Sequence, residues 1–167
     1  GKVNLMAEVI KLNGRNAYVQ VFESTRGLKI GDEVQFEGHM LEVSLGPGLL
    51  SKNFDGLEND LDAMEGIFLN RGEYTAALDD KKLWNYKPLA RAGDKVTAGS
   101  WLGEVEENEM PHRIMVPFSF ADAYTIKNLI GEGKYNITTT VATLVDSKGK
   151  EVPVTMVQKW PVKVPIK

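Results

Sequence analysis

The 167-residue sequence contains no cysteine and only two histidines, His39 and His112. Without cysteine there is no disulfide and no thiolate metal site, and two histidines argue against an imidazole-based metal centre. The chain does not open with a basic region followed by an apolar core, and no apolar run approaches the ~20 residues that span a bilayer. We therefore expect no metal site, no direct membrane insertion and a reducing, cytoplasmic setting.

Neither sign of charge is in large excess, because 20 basic and 23 acidic residues leave a net charge of -3. A nucleic-acid partner is not expected, since such proteins carry a basic stripe. The carboxylates crowd at 104–109 and at Asp79-Asp80, but no apolar neighbours in sequence would perturb their pKa values. Both groups are predicted to be solvated turns, and His112 a surface residue. Trp84, Trp101 and Trp160 are predicted to be packing anchors.

Phosphate-binding motifs are missing as well. Gly46-x-Gly48-x-x-Ser51 is one residue short of a dinucleotide fingerprint, but Pro47 removes a backbone donor and no helix follows at once. The Gly-Lys pairs at 133–134 and 149–150 lack the earlier glycine and the following Ser or Thr of a P-loop. We expect no catalytic, cofactor-binding or metal-binding residue, and we interpret Gly46, Pro47 and Gly48 as a rigid corner with at least one positive φ.

What the sequence does contain is strand and turn signals. Segments 6–12 and 15–22 flank Asn13-Gly14, which predicts a β-hairpin. The stretches 28–36 and 40–45 then predict two more strands that close a meander, as in part of a small barrel. Asp55 followed by Glu58 resembles a capping box and predicts one short helix over 56–65.

A turn signal is repeated along the chain. Gly31-Asp32-x-Val34 recurs as Gly93-Asp94-x-Val96, each preceding a strand pattern. The second copy continues as G-x-x-L-x-x-V, a pattern typical of barrel-sandwich domains such as biotinyl and lipoyl modules. The predicted fold class is therefore mainly β, with a partial N-terminal β-barrel followed by a barrel-sandwich-like domain.

Five blocks, in the same order, closely resemble the catalytic A subunits of V-type (archaeal/bacterial A/V-type) ATPases. They are LEVSLGPGLL…FDG (41–56), ALDDKKLWNYKP (77–88), GDKVTAG…GEV (93–105), HRIMVP (112–117) and TMVQKWPV (155–162). The chain departs from that family after Gly56, where the usual Gln/Gly-Arg-Pro-Leu block is replaced. It also departs after Pro117, where a Pro-Gly turn is usual.

The resemblance implies an N-terminal portion of such a protein. It implies later barrel strands over 1–46, a connecting corner over 47–66, a non-homologous "bulge" region over 67–159, and a lead-in to a nucleotide-binding domain over 160–167. Asp55, Gly56, Trp160 and Pro161 join the three corner residues as expected structural and interdomain positions.

The family also implies a function for the full-length protein. It would bind ATP and Mg²⁺ outside this chain, and it would couple ATP hydrolysis or synthesis to proton or sodium transport. The expected partners are B subunits and other A subunits in an alternating ring, together with peripheral-stalk subunits. The complex would be membrane-associated and face the cytoplasm. Alone, the chain is expected not to be an enzyme.

Two other functions are compatible with the pattern. A biotinyl or lipoyl carrier would present a lysine at a hairpin tip, but the predicted tip within 106–112 contains none. A stand-alone β-barrel binding module of the translation-factor type would need RNA or ribosome contacts, which the acidic balance does not favour.

Overall fold

The computed structural model describes residues 3–64, 72 and 74–165. These residues form twelve strands and one 3₁₀ turn, which confirms the mainly-β prediction. Among them there is no helix long and apolar enough to cross a bilayer. The strands are β1 Ala7–Asn13, β2 Asn16–Val21, β3 Glu42–Leu45, β4 Trp84–Pro88, β5 Lys95–Val96, β6 Trp101–Glu107, β7 Met110–Met115, β8 Tyr124–Leu129, β9 Gly133–Tyr135, β10 Ala142–Val145, β11 Glu151–Val154 and β12 Gln158–Pro161.

The first hairpin is confirmed, but its turn lies one residue later than predicted. Strands β1 and β2 pair antiparallel up to Asn13 and Asn16, so the two turn residues are Gly14 and Arg15. Gly14 has a φ of 58°. A glycine at the first central position, followed by a residue of ordinary φ, is the requirement of a type II′ turn.

The two repeated turns have the same local structure. Asp32 N–H donates to Lys29 O at 3.2 Å, and Asp94 N–H donates to Arg91 O at the same distance. In each turn the aspartate Oδ2 accepts back from the first residue's N–H, at 2.7 Å and 2.8 Å. Gly31 and Gly93 have φ values of 98° and 94°, as the third position of a type II turn requires.

The strands expected after these turns differ. Residues 95–96 form β5 because Asp94 and the chain beyond it pair with β8. The segment predicted over 28–36 forms no strand, and its Ile30, Val34 and Phe36 side chains are exposed. A strand needs a hydrogen-bonded neighbour, and the described residues supply none there.

Strand β3 was predicted to close a meander with the preceding strands, and this is wrong. It pairs instead with β12, in the register Val43 opposite Trp160 and Glu42 opposite Pro161. The chain between β3 and β12 therefore begins and ends at the same two-stranded sheet. A ladder of long sequence separation cannot be seen in a local alternation pattern, because each strand looks the same whichever neighbour it has.

The helix predicted over 56–65 is also absent from the described part of that segment. Only Leu61–Ala63 form a short 3₁₀ turn, capped by Asp60. Residue 65 lies outside the described residues. The capping box fails because the Glu58 carboxylate accepts from Ser44 N–H, at 3.0 and 2.7 Å, and not from the start of a helix.

The remaining strands form two four-stranded sheets, ordered β11-β10-β8-β5 and β7-β6-β4-β9. Buried side chains from each sheet make two hydrophobic clusters, one centred on the second sheet and one on the first. Strand β6 contributes to both, through Val105 and Leu102. Two β-sheets packed through these clusters match the predicted barrel-sandwich architecture.

Tyr86 lies at the centre of the first cluster, with no exposed surface. Its hydroxyl donates to Leu102 O at 3.2 Å, and burial raises its pKa to about 12. The ring passes directly over Gly103, where an added Cβ would lie 2.3 Å from the Tyr86 Cζ. Gly103 is therefore required by close packing rather than by an unusual φ.

Candidate functional site

The glycine-rich corner follows directly from β3. Gly46 and Pro47 are buried, and Gly48 has a φ of 112°. The prediction that at least one corner glycine has a positive φ is confirmed. A Cβ at Gly46 would lie 2.9 Å from Val157 Cγ2 and 3.2 Å from Met156 O, so the two glycines serve different purposes. Gly46 permits close approach of the chain beside β12, and Gly48 permits the turn.

The corner does bind an anion, but the anion is a side chain of the same protein. Gly48 N–H and Leu50 N–H both donate to Glu107 Oε1, at 2.7 Å and 3.0 Å. The second carboxylate oxygen, Oε2, lies 2.7 Å from Nδ1 of His112. The Glu107 carboxylate therefore has hydrogen-bond partners on both oxygens.

Burial makes these partners necessary. Glu107 is only 3% exposed, and a carboxylate removed from water is costly unless hydrogen bonds replace its hydration. The predictions for 104–109 and His112 are therefore wrong at these two residues. Glu107 is not solvated, and His112 is a partly buried partner of its carboxylate. Glu106 and Glu109, in contrast, are exposed as expected.

Strand β6 carries Glu107 inward because side chains alternate between faces of a strand. Gly103, Val105 and Glu107 share the buried face, with Glu106 on the opposite face. That alternation was readable in W-L-G-E-V-E-E and was the available signal for a buried glutamate. Which group the carboxylate meets was not readable, since the corner lies 59 residues away in sequence.

The hairpin tip adds a further contact to the corner. Asn108 and Glu109 connect β6 to β7, and both have positive φ, 50° and 63°. The Asn108 side-chain amide donates to Ser51 Oγ at 2.9 Å. The two tip residues include no lysine, and the tip side chain of Asn108 contacts Ser51 beside the corner. Neither observation supports a carrier function.

A second hydrogen-bonded polar group is the partly buried Asp55, just before the stretch where the sequence departs from the V-type pattern. Asp55 accepts from Leu57 N–H at 2.9 Å and from both the backbone N–H and the side-chain amide of Asn59, each at 2.8 Å. Desolvation raises the Asp55 pKa, but these hydrogen bonds outweigh it and leave the pKa below its usual range. Gly56 makes no comparable contact, with nothing within 4 Å of an added Cβ.

Two charged groups complete this loop. Asp60 is buried and accepts from Lys52 Nζ at 2.7 Å, which is the main reason that its pKa is lowered. Desolvation raises the pKa of Glu58, although the hydrogen bond from Ser44 opposes that shift. The loop is thus fixed by side-chain to backbone hydrogen bonds where a helix had been predicted.

The β3–β12 ladder places Trp160 and Pro161 opposite Val43 and Glu42, on the strand that leads into the corner. Trp160 packs edge-on against Phe118, with ring centroids 5.9 Å apart, and its Nε1–H donates to Val164 O at 2.7 Å. Trp84 is buried in the core, as predicted for a packing anchor. Trp101 is not, because it is 57% exposed and lies beneath the Arg113 guanidinium at 4.7 Å.

The structure offers no fit for a nucleotide phosphate at either Gly-Lys pair. Gly133-Lys134 lies in strand β9, and Gly149-Lys150 closes the turn between β10 and β11. A phosphate loop instead precedes a helix whose N-terminus faces the ligand. At the corner, the amides that would face a phosphate already bind Glu107.

A β-hairpin segment followed by two packed four-stranded sheets places the described residues in the class of all-β modules that includes barrel-sandwich domains. Comparison with known families gives the same two parts. Residues 75–163 match the family model "ATPsynthase alpha/beta subunit barrel-sandwich domain". Residues 2–38 match "ATP synthase alpha/beta family, beta-barrel domain". The chain belongs to the ATP synthase alpha/beta family.

Individual relatives narrow this to the V-type branch, as the sequence resemblance indicated. The chain is 48% identical over 161 residues to a V-type ATP synthase alpha chain from Chlamydia pneumoniae, which covers 95% of it. It is 43% identical over 166 residues to those of Borrelia garinii subsp. bavariensis and Treponema denticola, which cover 98% of it. The chain spans 27–29% of the length of these relatives.

Proposed function

We propose that this chain is the non-catalytic N-terminal and bulge portion of the A subunit of a V-type rotary ATPase. Similarity over nearly the whole chain, with both family domains in order, supports this assignment. In the full-length protein, ATP and Mg²⁺ bind outside these residues. ATP hydrolysis or synthesis there is coupled to proton or sodium transport by a membrane-associated complex that faces the cytoplasm.

A mechanical role is supported by the way the barrel-sandwich is attached at the corner, through a strand pair and a side-chain contact. The chain leaves from β3 and returns through β12, which pairs with β3 over four residues of each strand. The Glu107 carboxylate adds a contact from within the barrel-sandwich to the same corner. A projecting domain attached at several points can transmit force, whereas one attached by a single flexible strand would swing.

The partners in this proposal are B subunits and other A subunits in an alternating ring, and peripheral-stalk subunits that contact the bulge. The barrel segment contributes to ring assembly, and the bulge resists torque. A weak contact with an isolated stalk protein would suffice, because neighbouring contacts raise the effective concentration in the assembled complex.

The experiment is a deletion of residues 80–155 from the full-length A subunit. Leu78 and Val157 both approach Gly46, so a short Gly-Ser linker can join residues 79 and 156 without disturbing β3 and β12. We expect defective assembly, or assembled complexes that transport fewer ions for each ATP hydrolysed. The measurement is ATP-driven ion transport alongside the ATPase rate.

The matched control carries the same linker inserted in the exposed turn at Ser147-Lys148, and it should behave as the parent. Normal assembly with an unchanged ratio in the deletion variant would refute a coupling role. Calorimetric titration of this chain with Mg-ATP gives a separate check. We expect no saturable binding, and micromolar binding would contradict the placement of the nucleotide site elsewhere.

A further inference from the structure

The corner has the backbone geometry of an anion receptor. Gly48 N–H and Leu50 N–H converge on a single oxygen, although they are two residues apart. A residue of positive φ beside residues of ordinary φ turns nearby N–H groups to the same side and forms an anion-binding concavity. Gly48 supplies that positive φ here.

The bound group has the features of a ligand rather than of an incidental neighbour. The Glu107 side chain is 3% exposed, and its Oε1 accepts both corner amides while its Oε2 faces His112. Hydrogen bonds from amides to a carboxylate are charge-assisted, and these two, together with the His112 contact, replace the hydration that Glu107 loses.

We propose that residues 46–50 are an anion-binding loop whose resident ligand is the Glu107 carboxylate, and that this capture fixes the β6–β7 hairpin to the corner. The ligand class is a carboxylate supplied by the chain itself. Vacating the loop should make it a receptor for a small free carboxylate. The inference is independent of the rotary function proposed above, because it concerns contacts within this chain alone.

The competing explanation is that packing alone holds the corner. Pro47 is fully buried, and Gly46 packs closely against Val157 and Met156, so the corner has apolar support of its own. On that explanation the Glu107 contact is dispensable, and a free carboxylate would have no effect on a variant that lacks it.

The test is Glu107→Ala in the 167-residue chain, with and without sodium formate, and with sodium chloride at equal ionic strength. The variant leaves a cavity beside two unpaired N–H groups and His112. We expect a lower melting temperature and amide exchange at Gly48 and Leu50 faster by about tenfold or more. Formate, but not chloride, should raise the melting temperature of the variant by at least about 2 °C and leave the parent unchanged.

Two further variants separate capture from bulk packing. Glu107→Met keeps a side chain of similar length but replaces the carboxylate by an uncharged thioether, which is only a weak acceptor, so we expect faster exchange of the same two amides and no formate effect. Glu106→Ala removes the exposed neighbouring carboxylate and should match the parent.

The outcomes are decisive in either direction. A formate effect confined to Glu107→Ala supports the proposal. If that variant folds and formate has no more effect than chloride, the proposal is overturned. If it stays unfolded in both salts, Glu107→Met decides: parent-like protection of the Gly48 and Leu50 amides overturns the proposal, and selective loss of protection supports it.

Discussion

Replacement of Gly48 by alanine tests whether the corner depends on its backbone conformation. Gly48 has a φ of 112°, a conformation that L-residues adopt only under strain. Space is not the obstacle, because an added Cβ would be 3.6 Å from both Leu78 Cδ2 and Trp84 Cζ2, which is ordinary contact. Alanine also keeps the N–H that donates to Glu107. The substitution therefore isolates the cost of the positive φ.

The expected loss is ~1–3 kcal/mol in the free energy of unfolding, the usual cost of forcing a residue into such a region. For a chain of this size, that corresponds to a melting temperature lower by roughly 2–12 °C. Gly56→Ala is the matched control, since Gly56 is close in sequence, has no positive φ and has nothing within 4 Å of an added Cβ. The control should stay within ~0.5 kcal/mol of the parent.

Urea unfolding of both variants and the parent, followed by circular dichroism, gives the comparison, with the slope m checked for constancy. Equal stability of Gly48→Ala and Gly56→Ala would refute the argument that the corner needs a glycine for its φ. Gly46→Ala does not test this argument, because Gly46 has no positive φ and its added Cβ would press on Val157 and Met156.

Two further predictions concern the core. Gly103→Ala should destabilise the chain by ~1–3 kcal/mol or more, because its Cβ would overlap the Tyr86 ring, whereas Gly131→Ala has open space and should be near neutral in the same urea assay. Tyr86 has a pKa of about 12 when folded and about 10 when unfolded, so the stabilisation present below pH ~10 should be lost between pH 10 and 12. Tyr86→Phe should flatten that part of the stability profile, and an unchanged slope would contradict the assignment.

The sequence alone predicted features that depend on a few consecutive residues. The two Gly-Asp turns are alike because their hydrogen bonds close within four residues. The positive φ predicted for a corner glycine is equally local, and Gly48 confirms it. The family resemblance also rested on short blocks of consecutive residues in a fixed order, and the family models and relatives confirm it.

Tertiary structure decided what those local elements contact. The same turn leads to strand β5 after Asp94 but to no strand after Asp32, because only the segment after Asp94 pairs with β8. The helix predicted from Asp55 and Glu58 is lost because Glu58 finds Ser44, fourteen residues away. The presence or absence of a partner from distant chain decides the first case, and in the second the Ser44 contact outweighs a local capping preference worth only ~1 kcal/mol.

The corner shows both sides of this division. Its sequence determined that the chain must turn sharply, through a glycine at positive φ and a proline without a donor. It could not determine which anion the corner amides would bind, because Glu107 is 59 residues away and is brought to the corner only by the tertiary structure. Local chemistry thus determined the shape of the corner, and non-local packing determined its ligand, since a buried carboxylate takes whichever donors the fold brings to it.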